Sequence, residues 1–119
     1  MTTYEPGDIL LIPFPFTDFS TLKQRPCVVL SSATFNHTHE DVIVAALTSR
    51  IPKEPTRDSY VLSASEQRAC ALPKPSLIRV GKIVTLDQRL IRKRLGRLPR
   101  AGRIRLLTKV RRLFASSRG

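Results

Sequence analysis

The run Cys27-Val28-Val29-Leu30, preceded by Gln24-Arg25-Pro26 and followed by Ser31, leaves the chain few ways to fold. Four consecutive apolar residues, two of them valine, favour a buried strand over a surface helix. Pro26 has no N–H for a ladder and fixes φ, so it belongs at the mouth of that strand. Arg25 then stands at the rim of a core. A planar guanidinium on a rigid edge is well placed to hold a phosphate. The plainer reading of its position is a residue that flanks a strand and faces water.

Other runs repeat the pattern. After a turn at Pro6-Gly7-Asp8, Ile9–Ile12 reads as a first strand, ended by Pro13 and Pro15. Val42–Leu47 is a strongly β run that opens into a polar patch, Thr48-Ser49-Arg50. Ser59–Leu62 reads as a short strand and Ser76–Val84 as a longer one. In the latter Arg79 and Gly81 would share a face opposite Val80 and Lys82, and Gly81 signals a bulge or the close approach of another backbone. The loop Pro13–Gln24 carries Phe14, Phe16 and Phe19 beside Thr17, Asp18, Ser20 and Lys23. Phenylalanines in such a loop either tuck onto the core or present stacking faces. Residues 34–41 read as an exposed hairpin tip holding His37 and His39, a pair that supplies no third metal ligand. Residues 51–58 are a proline-broken candidate groove wall. Ser63 and Glu66 have capping-box spacing, which predicts a turn of helix within 63–70. Residues 88–98 read either as a short helix or as a strand pair around Gly96, broken by Pro99 and Gly102. The strongest helix is predicted over 103–114, with Ile104, Leu107, Val110, Leu113 and Phe114 as its apolar stripe.

These elements predict a mainly β chain, one domain spanning 1–119, built as a small barrel with a C-terminal helix. The formal net charge is +12, which points to a polyanionic or acidic partner. It is unevenly placed. Residues 88–119 hold 12 Lys and Arg and no acid, whereas residues 1–87 hold nine bases and nine acids. Part of such a run is ordinarily a solvated face. Two cysteines 43 positions apart make no metal pattern and little case for a disulfide, so a reducing compartment is expected. No signal peptide and no stretch of ~20 apolar residues is visible. The expectation is a soluble, cytoplasmic protein.

A small barrel gathers its loops at a rim. If Arg25 and Thr48 lie at one rim they bracket a site to which Ser76 and Arg79 could add. Arginine stabilises charge developing on a phosphoryl group, and a threonine hydroxyl can hold a phosphate oxygen. Neither is by itself a general base at neutral pH. RNA, however, carries its nucleophile beside the scissile phosphorus, so a sparse site without metal suffices there. There is no carboxylate cluster for two-metal hydrolysis, no nucleotide-binding glycine loop and no HExxH.

Taken in order, residues 7–18 (GDILLIPFPFTD), 25–31 (RPCVVLS), 44–49 (VAALTS), 77–87 (LIRVGKIVTLD) and 95–98 (LGRL) resemble the MazF/PemK (Kid) family of toxin–antitoxin ribonucleases. The resemblance covers roughly 7–114. It implies a compact SH3-like barrel of the CcdB/PemK kind with a C-terminal helix, acting as a homodimer. It implies sequence-specific cleavage of single-stranded RNA without metal or other cofactor, leaving a 2′,3′-cyclic phosphate and a 5′-hydroxyl. A cognate acidic antitoxin is the expected inhibitor, and promoter DNA an expected partner of the toxin–antitoxin pair. The family's arginine before the proline matches Arg25, its threonine at the strand end matches Thr48, and the Kid-branch arginine matches Arg79, which gives three catalytic candidates. Phe16, Thr17, Ser20, Lys23, Ser49, Arg50, Ser76 and Lys82 are the candidates for holding the RNA. Two positions depart from the pattern. Gly81 stands where the Kid branch has an aspartate, and Ser20-Thr21 where some relatives have a glutamate, which leaves the general base open. Two alternatives follow from the same residues: a nucleic-acid-binding barrel that does not cut, which those departures favour, and a gyrase-directed toxin, against which the Arg25–Thr48 pair speaks.

Overall fold

In a computed structural model of the chain, which describes residues 3–13 and 24–115, the apolar runs become one antiparallel sheet. Its strands are β1 (Asp8–Pro13), β2 (Gln24–Val29), β3 (Asp41–Thr48), β4 (Ser59–Val61), β5 (Leu77–Asp87) and β6 (Lys93–Arg97), in the order β4-β5-β3-β2-β1-β6. Three helices accompany it: α1 (Ala33–Thr38), α2 (Ala64–Ala69) and α3 (Arg100–Phe114). Among the described residues no helix is long and apolar enough to cross a membrane.

The continuous apolar character of β2 and β3 has a simple cause, since both faces of the sheet are buried. Ile9, Val28 and Ala45 pack with Tyr60, Leu62, Leu98 and Leu106 on one face. Leu10, Cys27, Val29, Val44 and Ala46 pack with Val42 and Leu86 on the other, where Tyr4, Val84 and Ile91 lean against them. Full burial of one such aliphatic side chain is worth about 1.5–3 kcal/mol. β2 begins earlier than expected, at Gln24. Pro26 pairs with Leu11 of β1, but pairing with β3 starts only at Cys27, so the missing N–H falls where one ladder has already stopped.

The expected barrel is not stitched shut, because β4 and β6 are the two sheet edges. The end of α2 takes up the gap. A Cβ on Gly96 of β6 would lie 2.4 Å from the Ala69 carbonyl oxygen and 2.7 Å from the carbonyl carbon of Cys70, an approach that only glycine permits. In β5 the partner of Ala45 is Ile83 and the partner of Ala46 is Arg79, so Val80–Lys82 bulge out of the ladder. Gly81 thus marks a bulge and not a close approach, since a Cβ there would meet nothing within 4 Å.

Several local expectations change. Residues 34–41 are not a hairpin tip. Ser32 caps α1 by accepting from the Phe35 N–H, and His39 closes the helix with its ring stacked on Phe35 at 4.1 Å. The helix is pinned from inside: buried Asn36 donates through Nδ2 to the Tyr4 and Ser31 carbonyls, and Gln88 donates to the carbonyls of Asn36, His39 and Asp41. Residues 88–98 split into a 3₁₀ turn, Gln88–Leu90, and β6. The break at Gly102 is also revised, because α3 starts at Arg100 and Gly102 is buried inside it. A Cβ there would lie 2.4 Å from Glu66 Oε2, so glycine lets α3 cross close to α2. That crossing sets the helix rotation. Leu106 is buried, Val110 and Leu113 are half-buried, and Ile104 and Phe114 stand 57% and 75% exposed, away from the stripe expected of them.

Two buried carboxylates hold the frame. Glu66 completes the capping box expected from its spacing. It also accepts from the Tyr60 hydroxyl (2.6 Å) and from Arg105 (3.1 Å), while Arg105 Nε donates to the same tyrosine oxygen (3.0 Å). Burial works against the charge on Glu66. Hydrogen bonds from Ser63 and Tyr60 and the nearby Arg105 outweigh it and hold the carboxyl below its usual range. Asp8, wholly buried at the start of β1, pairs with Arg97 (2.6 Å) and Arg94 (3.2 Å) of β6.

Candidate active-site cleft

Strand register gathers the candidate residues. Cys27 of β2 pairs with Ala46 of β3, and Arg25 and Thr48 each stand two residues along their strands from that pair. Thr48 pairs with Leu77 of β5, and Ala46 with Arg79, so Arg25, Thr48 and Arg79 fall on one face of three adjacent strands. All three line a cleft of about 560 Å³, together with Ser49, Arg50 and Ser76. Its apolar lining comes from Leu11, Pro26, Leu47, Leu72 and Leu95.

Lys74 also lines the cleft and was not among the candidates. Its setting, Pro73-Lys74-Pro75, was a readable signal: prolines on both sides favour an extended backbone that presents the lysine outward. Ser76 supports that segment. The serine is buried, its hydroxyl donates to the Lys74 carbonyl at 2.9 Å, and its own carbonyl accepts from the Leu62 N–H. Its hydroxyl proton is therefore committed to shaping the wall.

Thr48 is wired differently. Its Oγ1 accepts from the Arg50 N–H at 3.1 Å, which turns the chain at the end of β3 and leaves the hydroxyl's own proton to donate into the cleft. Around it Arg25, Arg50, Lys74 and Arg79 supply four cations, and no carboxylate is among the described lining residues. Such a wall attracts an anion and stabilises negative charge that grows on it. No three His, Cys, Asp or Glu side chains are grouped to hold a metal among the described residues.

A second cleft of about 330 Å³ adjoins the first through Arg79, which lines both. Thr56, Asp58, Ser59, Gly81 and Lys82 line it. Lys82, expected on the face opposite Arg79, joins it because the β5 bulge breaks the strict alternation. Phe16, Thr17, Ser20 and Lys23 lie outside the described residues.

Comparison with known proteins agrees with this architecture. A family model described as PemK-like, MazF-like toxin of type II toxin–antitoxin system matches residues 5–114. A MazE–MazF crystal structure from Deinococcus radiodurans superposes with a TM-score of 0.74 at 21% identity, covering 98% of this chain and 100% of that one. An endoribonuclease in complex with its cognate antitoxin, from a mycobacterial species, superposes with a TM-score of 0.69 at 17% identity, over 92% of this chain and 91% of that one. The Mycobacterium tuberculosis toxin MazF-mt6 gives 0.68 at 16% identity, over 87% and 90%. At these identities the structures speak for the fold. No curated sequence matches the chain.

Proposed function

The chain belongs to the PemK-like, MazF-like toxins of type II toxin–antitoxin systems, and from that premise we propose that it is a sequence-specific endoribonuclease that cuts single-stranded RNA without metal. The observation that carries this reading is the convergence of Arg25, Thr48 and Arg79, from three different strands, on one cationic cleft. The RNA 2′-oxygen attacks the adjacent phosphorus and the 5′-oxygen leaves, giving a 2′,3′-cyclic phosphate and a 5′-hydroxyl. Arg25 and Arg79 stabilise the charge that builds on the phosphoryl oxygens, and Thr48 donates its hydroxyl proton to one of them. Ser49, Arg50 and Lys74 hold flanking phosphates, with Ser76 fixing the segment that carries Lys74, and Lys82 takes a phosphate in the adjoining cleft.

The same reading makes the chain one cytoplasmic domain over 1–119 that works as a homodimer and is restrained by an antitoxin. One structural relative is an endoribonuclease bound to its cognate antitoxin, and others are MazE–MazF complexes. An acidic antitoxin segment suits a chain whose net charge resides after residue 87, and the pair would bind promoter DNA together.

The test is incubation of the purified chain with mixed-sequence single-stranded RNA in EDTA, with Arg25→Ala and Thr48→Ala in parallel and the product ends mapped. Discrete cuts with cyclic phosphate ends are expected, reduced about 10²–10³-fold in each variant, the scale on which one preorganised donor counts. A second reading, a barrel that grips RNA without cutting it, is favoured by the lack of a carboxylate among the described residues that line the cleft with Arg25 and Thr48. Intact RNA bound by folded protein would select that reading.

A further inference from the structure

Removing the 2′-hydroxyl proton needs a base, and the main cleft, as described, has four cations and none. Among the described residues the adjoining cleft has one carboxylate in its lining, Asp58. Resting on the endoribonuclease reading, we propose that Asp58 is the general base, reaching the reacting 2′-hydroxyl across Arg79.

Three features place it there. Ser59 pairs with Arg79 across the β4–β5 ladder, so Asp58 stands one residue before the strand, at the side of the bulge. The Val80 N–H donates to the Asp58 carbonyl at 2.9 Å, which ties Asp58 to the bulged segment itself. Gly81, which lines the same cleft as Asp58, has no side chain and nothing within 4 Å of where a Cβ would stand, so its part of the cleft wall is open. Asp58 is exposed, and the charged groups lining the same cleft are Arg79 and Lys82. Lys109 of α3 donates to the carbonyl of Arg57, the residue before Asp58, and is a third cation of that neighbourhood. Arg79 and Lys82 give the cleft the positive wall that a phosphate needs beside Asp58. Arg79 belongs to both clefts, so a phosphate held by it has Thr48 and Arg25 on one side and Asp58 on the other.

In the step, the Asp58 carboxylate takes the 2′-hydroxyl proton as the 2′-oxygen–phosphorus bond forms. The phosphorus–5′-oxygen bond breaks, and the departing oxygen takes a proton from water. The hydroxide left behind takes the proton back from Asp58.

The test is single-turnover cleavage of the mixed-sequence RNA by the full chain, with Asp58→Asn and Asp58→Glu beside it, over about pH 5 to about pH 9, with RNA affinity measured in parallel. The expected result is a fall of about 10²-fold or more in Asp58→Asn with affinity changed less than about threefold, the scale of general-base removal. The wild-type decline toward acid should vanish in Asp58→Asn, while Asp58→Glu retains both the decline and most of the rate. Wild-type cleavage with Asp58→Asn equally fast, or slowed with the acid decline unchanged, would overturn the role of Asp58 and leave the endoribonuclease reading standing. Absence of cleavage by the wild-type chain at every pH would overturn both.

Discussion

At Thr48 and at the two cysteines the surroundings decide what the side chain can do. The Thr48 hydroxyl serves twice, accepting from the Arg50 N–H and offering its own proton to the cleft. Thr48→Val keeps the shape and removes both functions, so cleavage of single-stranded RNA should fall about 10²-fold, the scale of one lost donor. Thr48→Ser should stay within about tenfold, because the hydroxyl survives without its methyl. Equal loss in both variants, read from initial rates, would assign Thr48 to packing. Cys27 and Cys70 are buried, and burial pushes their thiols up to about 12 and about 11. Neither should react with a thiol-specific reagent at neutral pH while the protein is folded, and both should react once it is denatured.

At the level of elements, the close crossing of α3 over α2 sets which faces of the helix are buried. Gly102→Ala would drive a methyl to 2.4 Å from Glu66 Oε2 and 2.9 Å from Leu98, and should cost about 1–3 kcal/mol in denaturant unfolding. Glu66 makes the same junction sensitive to acid. Its folded-state affinity for a proton is lower than in the unfolded chain, so the unfolded state takes up the extra proton as the pH falls. The contribution of Glu66 is therefore complete above the ordinary carboxyl range, about pH 4.3, and is lost as the pH drops below it. Glu66→Gln, which keeps the capping geometry, should unfold more easily at neutral pH and show a shallower loss of stability on acidification. This junction also explains what the sequence made legible. The strands could be read because β-branched runs buried on both faces look alike in any context. The capping box could be read because it is local. The rotation of α3 could not, since it is set by a long-range glycine contact and the Glu66–Tyr60–Arg105 cluster, and periodicity alone favoured Ile104 and Phe114 over Leu106. The helix α1 was hidden for a similar reason: its hold comes from Gln88, some fifty residues further on. At the cleft, Arg25, Thr48 and Arg79 were legible by family pattern and Lys74 could have been read from its flanking prolines, whereas Asp58 needed the β5 bulge to bring it beside Arg79.

Across the whole molecule, the basic last quarter divides into two uses. Arg89, Arg94, Arg97 and Arg105 pair with Asp87, Asp8, Glu5 and Glu66. Among the described residues Arg92, Lys93, Arg100, Arg103, Arg111 and Arg112 form no such pair and leave a strong positive field around α3 and β6. RNA affinity should therefore fall steeply with salt, by about 0.7 in log K per tenfold salt for each phosphate engaged. Arg25→Ala should lessen that slope by about one phosphate in a titration of fluorescent RNA. The open seam between β4 and β6 has a consequence of its own. A cylinder sewn all the way round must lose many ladder bonds together before it yields, whereas one wedged shut by a six-residue helix has a built-in first place to part. Amide protons of β4 and β6 should exchange with deuterated water well before those of β2 and β3, with the contact between the end of α2 and Gly96 as the place where opening begins.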